Sequence, residues 1–432
     1  MNFAFKIRLS VLAVFVLLSC HGQIIEKDVQ TGVENEKAYL SLLKNKKIGV
    51  LTNQTGILTT KYSEQSIERT ITETEEVITK ISTVYRDYMH LVDFLFENKI
   101  NLQKIFAPEH GFRGTADAGE LIKDGKDTKT GLPIISLYGN NKKPTKEQLS
   151  GIDIMVFDLQ DVGARFYTYI SSLHYLMEAC AENNIPLIVL DRPNPNGNIV
   201  DGPTLEMEHK SFVGMHPIPV LHGMTIGEYA KMINGEKWLK NGVQCDLTVV
   251  SCLNYKRDMA YSLPVKPSPN LPNDQAINLY ASLCLFEGTN VSVGRGTDKQ
   301  FQVFGSPYLF KIVYVGEPNK SFAKPHNLMD FKFTPKPNLG AKDPMHNGKE
   351  CFGRDLSEAE NVDKLELKWL IEAYNATSDK TKFFNNFFVK LAGTKKLQQQ
   401  IEQGLSETEI RKTWEKDLEK FKEIRKKYLI YD

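Results

Sequence analysis

Short apolar runs alternate with helical stretches along the first half of the chain. Continuous runs of this kind are typical of buried parallel strands, and the stretches between them are then crossover helices. The pattern predicts an α/β domain with a Rossmann-like, doubly wound parallel sheet. The strand-like runs are KKIGVLTNQ, KIFAPEHG, PIISLYG, IDIMVFDLQDVG and PLIVLDRPNPNG, and the longest helical stretch is YTYISSLHYLMEACAENN.

The pattern becomes mixed beyond residue 200. An amphipathic helix is predicted in PIPVLHGMTIGEYAKMINGEKWL, an alternating strand in DLTVV, and a proline-rich loop in PVKPSPNLPN. A helical tail follows, and Ser406 with Glu409 forms a capping-box pattern within it. We therefore predict a Rossmann-like domain over residues 37–245 and a smaller α+β C-terminal domain over 246–432.

The segment near residues 61–88 interrupts the alternation. It is rich in Thr, Glu and Ile and reads as an inserted helix or an inserted hairpin on the surface.

After the first predicted strand the sequence is LTNQTGIL, so the Gly-x-Gly-x-x-Gly fingerprint of dinucleotide binding is missing. We predict no cofactor.

Polar side chains close each predicted strand. Ligands of open parallel sheets bind beyond the carboxyl ends of the strands, so these side chains are expected to meet on one rim. Within APEHGFRG, Gly111 and Gly114 allow the backbone to turn sharply. The rim residues are Asn53, Thr55, Glu109, His110, Tyr138, Asp158, Asp161, Asp191 and Arg192.

The first residues read as an export signal. Lys6 and Arg8 precede a short apolar segment that ends in LLSC, which is similar to a bacterial lipobox. We expect a signal peptide over residues 1–19, lipidation of Cys20 and a polar leader over 20–36, with ordinary cleavage and an unmodified Cys20 as the alternative. The predicted product is exported and membrane-anchored, in the periplasm or at the outer membrane, and no later run is apolar enough to span a bilayer.

Charge and cysteine content argue against nucleic-acid binding, a disulfide framework and a zinc site. The chain of 432 residues has 54 basic and 53 acidic residues, so no overall field favours nucleic acid. The basic stretch KFKEIRKKY is interleaved with acids, as in a solvated helix face. The five cysteines after Cys20 include no Cys-x-x-Cys pair, which indicates buried small side chains rather than a disulfide framework or a zinc site.

Carboxyl groups dominate the predicted rim. Two carboxyls on either side of a scissile bond are the usual requirement of glycoside hydrolysis, and Glu109 and Glu287 both follow apolar runs that could raise a carboxyl pKa. The competing interpretation is that each acid caps a helix or pairs with an arginine. A metal site built from His110 and His222 with the three rim aspartates is weakly indicated, because no ligand pair has metal-site spacing. No Gly-x-Ser-x-Gly elbow supports a serine nucleophile.

Six motifs in order resemble the exo-β-N-acetylmuramidase (NamZ) family, from about residue 46 to the end. They are PEHGFRG, DLQDVGARFYTY, DRPNPNG, PIPVLHGMTIGE, PSPNLP and LFEGTNVSVGRGTDKQFQVFG. The resemblance implies a Rossmann-like N-terminal domain, a smaller C-terminal domain and an active site in the cleft between them. It also implies removal of terminal non-reducing N-acetylmuramic acid (MurNAc) from peptidoglycan fragments such as MurNAc-GlcNAc. The insertion near residues 61–88 departs from the family pattern.

The resemblance places Glu109 and Glu287 as the catalytic carboxyls and leaves their separate roles open. Arginine pairs well with carboxylates, so the arginines in the motifs are candidates for the lactyl carboxylate of MurNAc. A muropeptide-binding lipoprotein without catalysis and a metal-dependent hydrolase stay as alternatives. The implied substrate-binding residues are His110, Arg113, Asp158, Asp161, Arg165, Tyr167, Asp191, Arg192, Asn194, His222, Asn270 and Arg295.

Overall fold

A seven-stranded sheet forms the centre of the N-terminal half in the computed structural model. The structure describes residues 28–69, 79–112, 124–309, 313–315, 322–324 and 331–432. The signal peptide, Cys20 and Arg113 therefore lie outside the described residues. The strands are β1 (Ile48–Thr52), β2 (Ile57–Arg69), β3 (Thr79–His90), β4 (Leu102–Ala107), β5 (Gly125–Lys126), β6 (Pro133–Ser136), β7 (Ile154–Asp158), β8 (Leu187–Leu190), β9 (Leu247–Val250), β10 (Val303–Ser306), β11 (Val313–Val315), β12 (Phe322–Lys324), β13 (Phe331–Phe333) and β14 (Cys351–Asp355).

Helices surround the sheet and make up most of the C-terminal tail. They are α1 (Leu40–Leu43), α2 (Leu91–Glu97), α3 (Lys146–Leu149), α4 (Tyr169–Asn183), α5 (Ile226–Gly235), α6 (Asp274–Leu283), α7 (Lys368–Ala376), α8 (Phe388–Ala392), α9 (Lys396–Glu402), α10 (Glu407–Lys412) and α11 (Glu415–Lys426). The predicted capping box is confirmed at the start of α10, where the Ser406 side chain accepts from the Glu409 backbone N–H. No described helix is long and apolar enough to cross a membrane.

The strand order of the large sheet is β5-β6-β4-β1-β7-β8-β9. All neighbours are parallel except the short edge strand β5, which is antiparallel to β6. The six parallel strands follow the order 3-2-1-4-5-6, the arrangement of a Rossmann-like sheet, with its switch point between β1 and β7. The predicted doubly wound α/β fold is confirmed.

Residues of the central strands alternate between two cores, as successive strand residues point to opposite faces. In β7, Ile154 and Val156 pack in one cluster with residues of α1 and α2. Met155 and Phe157 pack in the other, with residues of α4 and α5. Helices cover both faces, which explains why the strands read as continuous apolar runs.

The segment near residues 61–88 is a hairpin in its described part. Strands β2 and β3 pair antiparallel from Ile57 with His90 to Arg69 with Thr79, and they form a two-stranded sheet of their own. The insertion therefore leaves the seven-stranded sheet uninterrupted.

The C-terminal half is the predicted smaller α+β part. It contains an antiparallel sheet of order β10-β14-β13, the pair β11 and β12, and helices α6 to α11. Strand β9 lies beyond the predicted boundary after residue 245, and it pairs with β8, so the large sheet continues to Val250. One apolar cluster includes residues from both halves, such as Phe166 and Phe304. The five described cysteines are free and buried, as predicted.

Candidate functional site

A cleft of about 650 Å³ lies between the two halves of the chain. The N-terminal half contributes side chains that follow β4, β6, β7 and β8, including Glu109, His110, Tyr138, Tyr167, Thr168 and Phe212. The C-terminal half contributes Asn270, Glu287, Arg295, Phe301, Lys342 and Phe387. We refer to this space as the cleft. Its size suits a small ligand such as one or two sugar rings.

Glu109 enters the cleft from a tight turn after β4. The turn closes with a hydrogen bond from the Gly111 N–H to the Pro108 carbonyl, and Gly111 has a positive φ of 77°. The Glu109 carboxyl accepts hydrogen bonds from the Tyr138 hydroxyl at 3.0 Å and from the Thr168 hydroxyl at 2.7 Å. Thr168 is the N-cap residue of α4, and the N-terminus of a helix favours a nearby negative charge. Three elements of the sheet domain thus position this carboxyl.

Glu287 enters the cleft from a 3-10 helix over Cys284–Gly288, directly after α6. Its Oε1 accepts from Arg295 Nε at 2.6 Å, and its Oε2 accepts from Cys284 Sγ at 3.4 Å. The Arg295 guanidinium also lies over the Phe301 ring, 5.0 Å from its centroid. Burial lowers the pKa of Arg295, but the Glu287 carboxylate outweighs burial and holds that pKa above its ordinary value. The Arg295 guanidinium and the Glu287 carboxylate therefore form a salt bridge at the cleft.

Six of the predicted site residues line the cleft. Two of them also form hydrogen bonds to distant parts of the backbone. The Tyr167 hydroxyl donates to the Pro267 carbonyl at 2.9 Å, and Asn270 Nδ2 donates to the Gly340 carbonyl at 2.7 Å. Burial raises the pKa of the Tyr167 hydroxyl well above its ordinary range, so this tyrosine stays neutral. The six are Glu109, His110, Tyr167, Asn270, Glu287 and Arg295.

Asp158 and Arg192 form a buried ion pair at the switch point of the sheet and are not among the cleft-lining residues. Arg192 donates from Nε to Oδ1 of Asp158 at 2.5 Å and from Nη2 to Oδ2 at 2.9 Å. Both side chains are almost fully buried. The bidentate geometry provides hydrogen-bond partners for the guanidinium and for both carboxylate oxygens. The pair therefore connects the end of β7 to the segment that follows β8.

Asp191 and Asn194 also lie away from the cleft lining. Asp191 accepts from the hydroxyls of Thr225 and Tyr431, both at 2.7 Å, and from the Gly227 N–H at the start of α5. Burial raises the pKa of Asp191 to about 6. Asn194 donates to the Met224 carbonyl at 2.9 Å. These contacts attach α5 and the C-terminus to the sheet.

Asp161, Arg165 and His222 are buried and are not among the residues that line the cleft. Asp161 accepts from the Gly163 N–H at 2.7 Å and lies 3.5 Å from His222 Nε2. Arg165 donates to the carbonyls of Pro203, Ile218 and Leu391, each at 2.8 Å, and burial lowers its pKa to about 9. It therefore connects the two halves of the chain.

The described residues contain one group of three side chains spaced for a metal, namely Glu206, Glu208 and His209. None of the three lines the cleft. The rim histidines and aspartates named in the metal hypothesis do not form such a group within the described ranges. The metal-dependent alternative therefore gains no support from side-chain placement at the cleft.

Sequence reasoning missed several cleft residues. Thr168 stands in the motif DLQDVGARFYTY directly before a helix, and its residue type is typical of an N-cap, so a signal was present. Tyr138 was recognised only as a strand-closing residue. Phe212 and Lys342 lie in irregular segments, and nothing in their local sequence indicates the cleft.

The Rossmann-like sheet, the smaller C-terminal part and the carboxyl-lined cleft between them are those of an α/β glycoside hydrolase. Two family models match most of the chain. The model described as "Exo-beta-N-acetylmuramidase NamZ, N-terminal" matches residues 76–275, and the corresponding C-terminal model matches residues 278–431. The chain belongs to the NamZ family of exo-β-N-acetylmuramidases, which confirms the resemblance seen in the motifs.

Relatives support this assignment. The peptidoglycan β-N-acetylmuramidase NamZ of Bacillus subtilis is 41% identical over 418 residues, which covers 93% of this chain and 91% of the relative. A crystal structure of a DUF1343 family protein from Bacteroides fragilis is 42% identical with a TM-score of 0.76. A second DUF1343 structure from the same organism is 27% identical with a TM-score of 0.70. Each alignment with a structure covers 94% of this chain and 99% of the other.

Proposed function

We propose that the chain removes terminal non-reducing MurNAc from peptidoglycan fragments such as MurNAc-GlcNAc. One observation carries the proposal: a glutamate from each half of the chain lines the same cleft, Glu109 after β4 and Glu287 after α6. Two carboxyls that face one sugar-sized space are what hydrolysis of a glycosidic bond requires. The Bacillus subtilis relative is a peptidoglycan β-N-acetylmuramidase, which agrees with this substrate class.

The environment of Glu287 favours one of the two roles that the mechanism requires. Glu287 is paired with Arg295, which fits the ionised carboxylate that acts as base or nucleophile. The two-carboxyl mechanism needs a second group that protonates the leaving oxygen, and this role then belongs to Glu109. Tyr138 and Thr168 hold the Glu109 carboxyl in place through their hydroxyls.

Cations in the cleft support recognition of the lactyl carboxylate. Arg295 and the exposed Lys342 are the cationic side chains that line the cleft within the described part of the chain. Arg165 and Arg192 are buried elsewhere, and Arg113 stays a prediction outside the described residues. A carboxylate-bearing sugar is therefore matched by Arg295 and Lys342.

The proposal is tested by release of chromophore from an aryl β-glycoside of MurNAc, with the matching GlcNAc glycoside as comparison. We expect release from the MurNAc glycoside and little from the other. Binding of MurNAc-GlcNAc without any release would instead identify a muropeptide-binding protein. Loss of activity after exhaustive chelation, restored by a metal, would support the metal-dependent alternative.

Replacing Glu109 with Gln should remove most of the turnover. The amide keeps the shape of the side chain but does not transfer the proton, so kcat is expected to fall by about 10²- to 10⁴-fold. Glu182→Gln is the matched control, because Glu182 lies on α4 and pairs with Lys143 outside the cleft. The assignment fails if Glu109→Gln is folded and as active as this control.

We also propose that the chain is exported and anchored through a lipid on Cys20. The basic residues, the apolar segment and LLSC carry this proposal. Metabolic labelling with a fatty-acid analogue should mark the natural chain and not the variant Cys20→Ser. Equal labelling of both proteins, or labelling of neither, would contradict the anchor.

A further inference from the structure

Asn270 has a fixed orientation in the wall of the cleft. Its side chain is 2% exposed, and its Nδ2 donates to the Gly340 carbonyl at 2.7 Å. That bond identifies the nitrogen, because a carbonyl accepts only from the amide N–H side. Gly340 has a positive φ of 96°, and an added Cβ would lie 2.8 Å from Pro269 Cβ, so the chain approaches closely at this point. The position of Asn270 Oδ1 follows from these contacts.

Asn270 Oδ1 is a buried acceptor without a hydrogen-bond partner among the described residues. Buried polar atoms are nearly always paired, and an unpaired one reduces stability. An unpaired acceptor in a ligand cleft can be compensated by a donor that the ligand supplies. Since Asn270 lines the cleft, the missing donor is assigned to the substrate.

The cleft that Asn270 lines also has much apolar lining. Phe166, Leu271, Tyr280 and Phe301 all line it and are each less than a tenth exposed. The Tyr280 ring meets the rings of Phe166 and Phe301 edge to face, at 5.5 and 5.0 Å. Such a surface accommodates a methyl group better than a hydroxyl, because a buried hydroxyl needs its own partner.

We propose that Asn270 Oδ1 accepts the N–H of the 2-acetamido group of the bound sugar, while the apolar lining receives its methyl group. The inference rests on the proposed function and names the part of the substrate that binds to this acceptor. An acetamido group combines one N–H donor with one methyl group, which match the unpaired acceptor and the apolar lining of the cleft. Asn270 is then a residue that determines specificity for 2-acetamido sugars.

The test compares two aryl MurNAc glycosides, one with the natural 2-acetamido group and one with a 2-O-acetyl group. The second keeps the methyl and the carbonyl but lacks the N–H. The wild-type protein should prefer the acetamido substrate in kcat/KM. In Asn270→Leu this preference should shrink by about 10- to 100-fold, because a site built around a hydrogen bond discriminates strongly against a ligand without the donor.

Asn338→Leu is the matched control. Asn338 also donates from Nδ2 to a backbone carbonyl, that of Thr297 at 3.2 Å, and its Oδ1 is likewise buried without a partner in the described residues. It does not line the cleft. This variant should keep the wild-type preference even if its stability falls as much as that of Asn270→Leu.

The outcomes separate this inference from the proposed function. A wild-type protein that hydrolyses both substrates equally well overturns the inference without any variant. If Asn270→Leu lowers kcat/KM equally for both substrates, the inference is also overturned, and Asn270 only supports the Gly340 loop. A wild-type protein that hydrolyses neither of them nor MurNAc-GlcNAc refutes the proposed function itself.

Discussion

Acidic residues follow several strands of the sheet, but their partners separate them into two groups. Asp158 and Asp191 are fully buried, and their oxygens are taken up by Arg192, Thr225 and Tyr431. Glu109 is half-buried, faces the cleft and accepts from two hydroxyls. Burial with complete pairing indicates a structural role, whereas partial exposure beside positioned donors is expected of a reactive group.

Thr168 is expected to position Glu109. Thr168→Val keeps the shape and removes the hydroxyl that donates to the Glu109 carboxyl at 2.7 Å. Because a typical hydrogen bond contributes about 0.5–1.5 kcal/mol, kcat/KM should fall by roughly two- to tenfold. Thr168→Ser keeps the hydroxyl and should retain most of the activity. A Ser variant as impaired as the Val variant would indicate that packing alone is responsible.

The sequence selected two glutamates that line the cleft, but it did not indicate where the neighbouring polar side chains lie. Glu109 and Glu287 stand in motifs whose residue types already pointed to a site. Nothing local in DRPNPNG shows that Arg192 turns back to Asp158, which is 34 positions earlier in the chain. Burial of a polar side chain depends on what covers it, and that comes from elsewhere in the sequence.

Among the elements, α4 links the sheet to the cleft. Its N-cap residue Thr168 contacts Glu109, and Tyr169 in its first turn accepts from Asn53 after β1 at 2.6 Å. The sequence predicts this helix in the stretch YTYISSLHYLMEACAENN, and the structure places it over Tyr169–Asn183. Its exact start did not follow from the sequence, because Thr168 makes no side-chain cap and instead donates to Glu109.

The β2–β3 hairpin is expected to be dispensable for folding. Tyr62 and Arg86 are cross-strand partners, so residues 63–85 can be replaced by Asn-Gly, a pair that closes two-residue hairpins. The shortened protein should keep its free energy of unfolding within about 0.5 kcal/mol, as surface changes usually do. The measurements are denaturant unfolding and kcat/KM on the aryl MurNAc glycoside.

A large loss of kcat/KM in the folded, shortened protein would contradict this expectation and place the hairpin in substrate access. The hairpin root is kept because Arg86 pairs with Asp28 at 3.2 Å, and the Thr59 N–H donates to Glu34 at 3.0 Å. From the sequence alone, a helix and a hairpin were equally compatible with this segment. The antiparallel pairing in the structure decided between them.

At the scale of the whole molecule, one core unites the two halves. It contains strand residues of the large sheet, helices α4 and α5, and residues of α6 to α11. Within it a polar chain runs from His174 Nδ1 to His216 Nε2 at 2.9 Å, and from His216 Nδ1 to the Tyr229 hydroxyl at 2.8 Å. The two facing ring nitrogens share one proton, so at least one of these histidines must be neutral.

Acid should destabilise the fold through His174. Burial lowers the pKa of His174 to about 4, although Glu178 partly opposes this. As the pH falls, the unfolded chain takes up the proton first, near pH 6.5. The contribution of neutral His174 to the free energy of unfolding is therefore complete above that pH and is lost as the pH falls toward about 4. The loss is expected to reach about 3 kcal/mol. Denaturant unfolding across this range should show a flatter profile for His174→Gln than for the wild type.

The comparison of the two proteins isolates this histidine. The raised pKa of Asp191 has the opposite effect, since it favours the protonated folded state below about pH 6, but Asp191 is present in both proteins and cancels in the difference. Parallel profiles for wild type and variant would show that His174 does not titrate with unfolding.

The sequence by itself determined the class of fold and the family, and it proposed two glutamates that both line the cleft. Apolar runs fix strands and crossover helices because burial on both faces of a parallel sheet demands them, and turn residues mark where the strands end. The tertiary structure decided which polar side chains face the cleft. Arg165, for example, is buried by a contact with Leu391, which is 226 positions away. Solvent exposure and pairing arise from such distant contacts, and a local pattern does not encode them.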